Sequence, residues 1–184
     1  MDVDKALLRS AARRRVAALS HARRCAEEDL VTATIQDTPQ WRAARTVLLY
    51  RSVPPEFTTV GLANGAWRAG KRVAFPRIAG EGRLLLHAVH GWHELTGVTH
   101  AIPEPSAGAP SVAPADVDLA IVPGVAWDDS GGRLGQGGGY FDRLLPHLRL
   151  AWGVAFDAQV VPAVPREAHD QRVHRVWHAG ALEA

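Results

Sequence analysis

The sequence predicts an α/β protein in which a mainly parallel sheet is flanked by helices. Three observations carry this reading. Short apolar runs rich in strand formers occur at Thr46–Ser52, Val117–Val125 and Leu150–Phe156, and segments of helical period lie before and between them. A glycine-rich stretch, Gly131–Arg143, joins a buried strand to a helix. Strands that alternate with helices have the crossovers a parallel sheet requires.

Taken in order, Leu7, Leu8, Ala11, Ala12, Val16 and Leu19 recur at three- and four-residue steps between Asp4 and Leu19, the period of an amphipathic helix with arginines on its other face. Ser20 is placed to cap a second helix reaching Ile35, so the N-terminal helices cover about residues 2–38. Cys25 has no second cysteine for a disulfide or a zinc cage and reads as a small apolar filler on that helix. Thr46–Ser52, bounded by Pro54 and Pro55, reads as a buried strand, followed by a helix of roughly Glu56–Ala69 that Gly70 ends. Strands are expected at Arg72–Ile78 and, after the turn Gly80-Glu81-Gly82, at Arg83–His90. Gly97–Ala115 contains prolines 103, 105, 110 and 114 and is expected to be a long surface loop without regular structure. Val117–Val125 is the next buried strand, then come a helix from Tyr140 to Leu148 and strands at Leu150–Phe156 and Val173–Trp177.

Composition bounds the function. With 184 residues, 47% hydrophobic and 22% charged, the chain suits one globular domain over 1–184 and excludes disorder or a collagen-like repeat. Apolar runs such as Leu84–Gly91 fall well short of the roughly 20 residues that span a bilayer. Asp2, Asp4 and Arg9 leave no apolar core for a secretory signal, so the expectation is a cytoplasmic protein with no membrane partner. A net charge of +2 is too small to make the whole molecule a polyanion binder. Seven basic residues and no acid lie between Lys5 and Arg24; this raises a nucleic-acid-binding module as a minor alternative, although no recognition motif accompanies the charge.

Gly131–Arg143 holds six glycines in thirteen positions. Without Cβ atoms, backbone N–H groups can approach phosphate oxygens, and a helix starting near Tyr140 would turn its positive end toward the same anion. No Lys follows the glycines as a Walker A loop needs, and Tyr140 stands where a dinucleotide fingerprint starting at Gly135 needs glycine. Arg133 can pair with phosphate, and Asp142 can hold Mg²⁺ against a nucleotide. From the residues alone a mobile loop stays open, and Asp142 and Glu56 could simply be acids near helix N-termini. His87, His90 and His93 recur every third residue, but strand residues 87 and 90 face opposite sides and no acid or Cys completes a set, so no metal cluster is expected there. No Gly-x-Ser-x-Gly elbow supports a serine hydrolase.

These residues resemble the 5-formyltetrahydrofolate cyclo-ligase family. The resemblance lies in Asp118-Leu-Ala-Ile-Val-Pro-Gly-Val-Ala-Trp-Asp128 and Gly132-Arg-Leu-Gly-Gln-Gly-Gly-Gly-Tyr-Phe-Asp-Arg143, with Lys5-Ala-Leu-Leu-Arg9, Tyr50-Arg-Ser and Glu56, Ile102-Pro-Glu-Pro105 and His169-Asp170 in the same order. It implies a Rossmann-like three-layer sandwich of the NagB/RpiA/CoA-transferase-like kind. It also implies ATP- and Mg²⁺-dependent conversion of 5-formyltetrahydrofolate to 5,10-methenyltetrahydrofolate, with release of ADP and phosphate, by a monomer acting on small molecules. By matching position, Lys5, Arg9, Arg133, Leu134, Gly135, Gln136, Gly137, Gly138, Gly139, Tyr140 and Phe141 are expected to bind ATP. Arg51, Glu56 and Tyr140 are expected to contact the folate, Asp142 to bind Mg²⁺, and Arg133, Tyr140 and Asp142 to form the catalytic group. Trp127 and Phe141 stand where the family frequently has Phe and a second Tyr, and Gly138 where some members have Lys. The larger departure is His174, where the family has a second Asp associated with the metal. Imidazole is a poor partner for hard Mg²⁺, so His174 implies either a weaker metal site or a divergent paralogue with another substrate.

Overall fold

The computed structural model describes residues 4–80, 82–99 and 102–182; residues 2 and 3 of the expected N-terminal helices and Glu81 of the expected turn lie outside them. Two helices open the chain, α1 (Lys5–Ala17) and α2 (His21–Asp37). Asp4 caps the first through Ala6 N–H and Ser20 caps the second through Arg23 N–H. Leu8, Ala12 and Val16 of α1 are buried, whereas Leu7 is 67% exposed, so the apolar stripe is narrower than its periodicity suggests. A short helix, α3 (Pro39–Ala43), leads into β1 (Thr46–Leu48). Then follow α4 (Val60–Arg68), β2 (Arg72–Ala79), β3 (Arg83–Val89), β4 (Gly97–Thr99), β5 (Ile102–Glu104), β6 (Ser111–Val112), β7 (Leu119–Val122), β8 (Ala126–Trp127), β9 (Arg133–Leu134), α5 (Tyr140–Leu144), β10 (Ala151–Val154) and β11 (Arg175–Trp177).

The main sheet has the order β11-β10-β7-β1-β2-β3-β6. The first five run parallel; β3 pairs antiparallel with β2, and β6 pairs antiparallel with β3 to form the edge. Both faces are covered, as a parallel sheet requires. Val47, Val73, Leu119, Ile121 and Trp152 pack with Val31, Ile35, Trp41, Leu62 and Ala66 of α2, α3 and α4 on one face. Leu48, Ala74, Ala120 and Val122 point the other way, onto Leu144, Leu145 and Trp127. Leu8 and Ala12 bring α1 onto Val125, Ala126, Leu134 and Val164, beside the β8–β9 hairpin. The result is the three-layer arrangement expected from the sequence.

Several boundaries differ from the expectation. The expected strand 46–52 is regular only to Leu48, and the chain then leaves the ladder with Leu49 N–H on Ala74 C=O. The helix begins at Val60 rather than Glu56, because residues 53–56 close a turn with Glu56 N–H on Val53 C=O. Gly97–Ala115 is not irregular throughout: β4 and β5 form a hairpin in which Pro103 faces Val98, and β6 pairs with Leu86 and His87. Proline is compatible with such edge positions, where its missing N–H interrupts no ladder bond. Helix α5 stops at Leu144, and residues 145–147 continue as one 3₁₀ turn, because Pro146 has no N–H for a further α-helical bond. Pro123 closes β7 early in the same way. Cys25 is half-buried, its Sγ 3.6 Å from His21 Nε2, rather than an internal filler.

Candidate active site

Where β1, β2 and β7 end at their carboxyl edge, the chain leaves a cleft of about 450 Å³. This is the edge at which open α/β sheets receive ligands. The cleft brings together the glycine loop 133–139, the start of α5, the N-terminus of α1, the segment after β1 and residues 167–170. Every residue singled out from the sequence as a candidate contact lines it.

Arg133 opens the second strand of the β8–β9 hairpin and carries its guanidinium inward, with 3% side-chain exposure. Its Nη2 lies 2.7 Å from Asp142 Oδ1 and its Nη1 donates to Pro123 C=O at 3.3 Å. Its Nε is buried and has no hydrogen-bond partner among the described residues. Phe141 lies 6.0 Å from this cation. Asp142 Oδ1 also accepts Gln171 N–H at 3.3 Å. The glycine loop is held from α1: Arg9 Nε donates to Gly135 C=O at 2.7 Å, and Arg13 donates to the Gln136 side chain. Gly139 (φ +65°) takes the left-handed conformation that starts α5. Since α5 is five residues long, its dipole is much weaker than that of the longer helix expected, and the cations and loop amides dominate the local field.

Lys5 reaches across to Asp170 at 2.6 Å and Glu167 at 2.9 Å. Burial alone would lower the Lys5 pKa, but its bonds to these two carboxylates prevail and raise it. Burial likewise pushes Asp170 up, yet Lys5 and the Glu167 N–H hold it below the usual carboxylate range. Asp170 belongs to a motif visible in the sequence, whereas Glu167 had no sequence signal: its partner lies at the other end of the chain.

The opposite wall comes from the segment after β1. Glu56 accepts Val53 N–H at 3.1 Å. Burial raises its pKa, and the bonds from Val53 and the Gln136 side chain offset only part of that shift. Tyr50 donates to Phe57 C=O at 2.7 Å and anchors the same turn. Arg51 sits 5.3 Å from the Trp92 ring and donates to Ser52 C=O at 3.4 Å. Between the two walls Pro76, Ile78, Leu84, Ile102 and Tyr140 make a largely apolar slot, with the Arg143 guanidinium 5.7 Å from the Tyr140 ring. Glu104 closes its end; this carboxylate, 4% exposed, accepts Ile78 N–H and the Thr99 hydroxyl and so ties the β4–β5 hairpin to β2.

His174 does not line the cleft. Its Nδ1 accepts Ala151 N–H at 3.1 Å and its own N–H donates to Ala151 C=O, so it extends the pairing of the edge strands. His87 is buried with Nδ1 on Ala109 C=O, while His90 and His93 are exposed beside Glu94.

Fold and cleft together define an α/β protein with a cleft of small-molecule size, which carries cations paired with carboxylates (Lys5 with Glu167 and Asp170, Arg133 with Asp142) on one side and Glu56 with Arg51 on the other. A model of the 5-formyltetrahydrofolate cyclo-ligase family matches residues 1–179, and the chain belongs to that family. It is 37% identical over 134 residues to the 5-formyltetrahydrofolate cyclo-ligase of Escherichia coli (strain K12), covering 69% of this chain and 74% of that one. The Mus musculus 5-formyltetrahydrofolate cyclo-ligase is 25% identical over 185 residues, 93% of this chain and 91% of that one. The NMR structure of Aquifex aeolicus 5,10-methenyltetrahydrofolate synthetase superposes with a TM-score of 0.84 at 32% identity, covering 94% of this chain and 88% of that one.

Proposed function

We propose that this chain converts 5-formyltetrahydrofolate and ATP to 5,10-methenyltetrahydrofolate, ADP and phosphate. The observation that carries the proposal is the division of one cleft into a phosphate side, built from Lys5, Arg9, Arg133 and the glycine loop, and a pterin side, built from Glu56, Arg51 and Tyr140. The formyl oxygen is a poor leaving group. Its attack on the terminal phosphorus of ATP, with ADP departing, makes it a good one; N10 then attacks the formyl carbon, the ring closes and phosphate leaves. Such chemistry asks mainly for positioning and charge neutralisation. Arg133 meets the transferred phosphoryl group, Lys5 and Arg9 the remaining phosphates, and loop amides fill the gaps. A pterin is flat and rich in N–H donors; Glu56 accepts from it and Tyr140 lies against its ring.

The side chains also fit Mg²⁺ entering with the nucleotide. Asp142 is a hard oxygen donor, and Glu167 and Asp170 line the same cleft. Among the described residues no group of three or more His, Cys, Asp or Glu is arranged to hold a metal unaided. Mg²⁺ needs only one or two carboxylates when phosphate oxygens and water complete its shell, and it supplies charge neutralisation there. His174, bonded to the backbone outside the cleft, gives no support to a changed substrate. Nor does the basic N-terminal run favour nucleic acid: Lys5 and Arg9 line the cleft, and Arg13, Arg15 and Arg23 bond to Gln136, Ala158 and Asp157 of this same chain.

The test is the near-ultraviolet absorbance of the methenyl product when purified protein meets 5-formyltetrahydrofolate, with ATP and Mg²⁺ supplied together and each omitted in turn. Growth that needs both supports the proposal; a flat trace from folded, ATP-binding protein refutes the substrate assignment. Asp142→Ala is expected to abolish turnover with the fold intact, and full activity in that variant would remove Asp142 from the metal's surroundings.

A further inference from the structure

Asp128 is 5% exposed and lies outside the cleft, yet it accepts four hydrogen bonds. Oδ1 takes the Ser130 N–H at 3.0 Å, the Ser130 hydroxyl and the Gly132 N–H at 2.9 Å, and Oδ2 takes the Val164 N–H at 2.8 Å. All four donors are neutral. Burial alone would push this carboxyl up, but the donors outweigh it and hold it below the usual range, so it is an anion at neutral pH.

The two segments gathered on this carboxylate lead to Arg133 on one side and to Glu167 and Asp170, the partners of Lys5, on the other. Gly132 immediately precedes Arg133. Val164 opens the stretch that bears Glu167 and Asp170, the partners of Lys5, and that stretch has neither helix nor strand between β10 and β11 beyond a short 3₁₀ turn at Asp157–Gln159. It hangs on the 127–131 turn by Val161 N–H to Trp127 C=O, Val164 N–H to Asp128 and Val173 N–H to Gly131 C=O. The turn is also sterically closed around the carboxylate: a Cβ on Gly132 would stand 2.1 Å from Oδ2.

We propose that Asp128 is a positioning residue that fixes Arg133 and the Glu167–Asp170 segment relative to each other, and so sets nucleotide affinity without touching the nucleotide. The inference rests on the nucleotide reading of the cleft. The folate side is held chiefly through Tyr50 and the 53–56 turn, with Gln136 of the glycine loop as its one link to the other wall, and is expected to respond far less.

In the test, equilibrium binding of a fluorescent ATP analogue and of 5-formyltetrahydrofolate is measured on four variants of the full chain. In Asp128→Asn the amide places a donor against an N–H, and in Gly132→Ala the carboxylate is displaced. Either is expected to weaken nucleotide binding by about tenfold or more, as small misplacements of positioning groups do, with folate binding changed by less than about twofold. Ser130→Ala removes only one of the four donors, and Ile35→Ala destabilises the core at a position that does not line the cleft; both are expected to leave the two affinities unchanged. If Asp128→Asn does not fold, Gly132→Ala alone decides. Loss of thermal stability with both affinities retained, or a parallel loss of both, overturns the proposal. A wild type that binds ATP but forms no methenyl product would overturn the function instead and leave this comparison valid.

Discussion

Glu56 is a carboxylate that burial disfavours and that the proposed pterin contact needs. Its folded pKa lies above the ordinary value of 4.5, so folding penalises the ionised form. The stability it contributes is fully present below the unfolded pKa and is lost as pH rises through the folded one. Glu56→Gln, which can still accept Val53 N–H through its amide oxygen, is therefore expected to exceed the wild type in urea midpoint at about pH 8 and to lose that advantage at about pH 4, while reduced-folate binding weakens. A midpoint difference that stays constant across this range would show that Glu56 is not strained by burial. Asp128 and Asp170 carry the opposite sign: their depressed pKa values add stability above the ordinary carboxylate value, and it is lost on acidification below it. Arg133, Asp142 and the glycines are legible in the sequence because they are contiguous. Glu167 is not, because nothing local distinguishes it from any exposed acid.

The turn 128–132 and the start of α5 both require glycine, for different reasons. Gly131 has φ +86°, and a Cβ there would lie 2.2 Å from the Val173 carbonyl oxygen, a backbone atom that cannot move without breaking the Val173-to-Gly131 bond. At Gly139, with φ +65°, the added Cβ would meet only the Arg143 guanidinium, which can swing away. Gly139→Ala is expected to cost about 1–2 kcal/mol, the left-handed penalty alone, and Gly131→Ala roughly twice that or more, since strain and a backbone clash combine. Equilibrium urea unfolding compares them, and equal costs would refute the account. The same scale explains the misread segments. Four prolines in 97–115 resemble an irregular loop in sequence, yet edge pairing accommodates them, and the hairpin they permit carries Glu104 to the end of β2.

At the scale of the molecule, the cleft exists only when the N-terminal helix, the sheet edge and the segment before β11 come together, so the unfolded chain has no equivalent site. A ligand confined to the folded state stabilises by about 2.7 kcal/mol at one hundred times its Kd. For a chain of this length that corresponds to a rise in Tm of roughly 5–10 °C. Mg·ATP is expected to produce such a shift in the wild type and a much smaller one in Arg9→Ala, which releases the Gly135 carbonyl. An equal shift in both would place the nucleotide away from α1. The positive N-terminal run, conspicuous in the sequence, is largely paired within the chain: Arg23 on Glu27 and Asp157, Arg15 on the Ala158 carbonyl, Lys5 on Glu167 and Asp170.

The α/β class, the buried strands, the first two helices and the family signature are legible in the sequence, because hydrophobic period and contiguous motifs are local properties. Where each element stops, that 97–99 pairs with 102–104, that His174 serves an edge strand, and which charge meets which emerge only from the folded chain. Lys5 and Asp170 stand 165 positions apart. Pairings at that distance depend on how strands are ordered in the sheet and on which donors burial leaves unpaired, and a one-dimensional pattern carries neither.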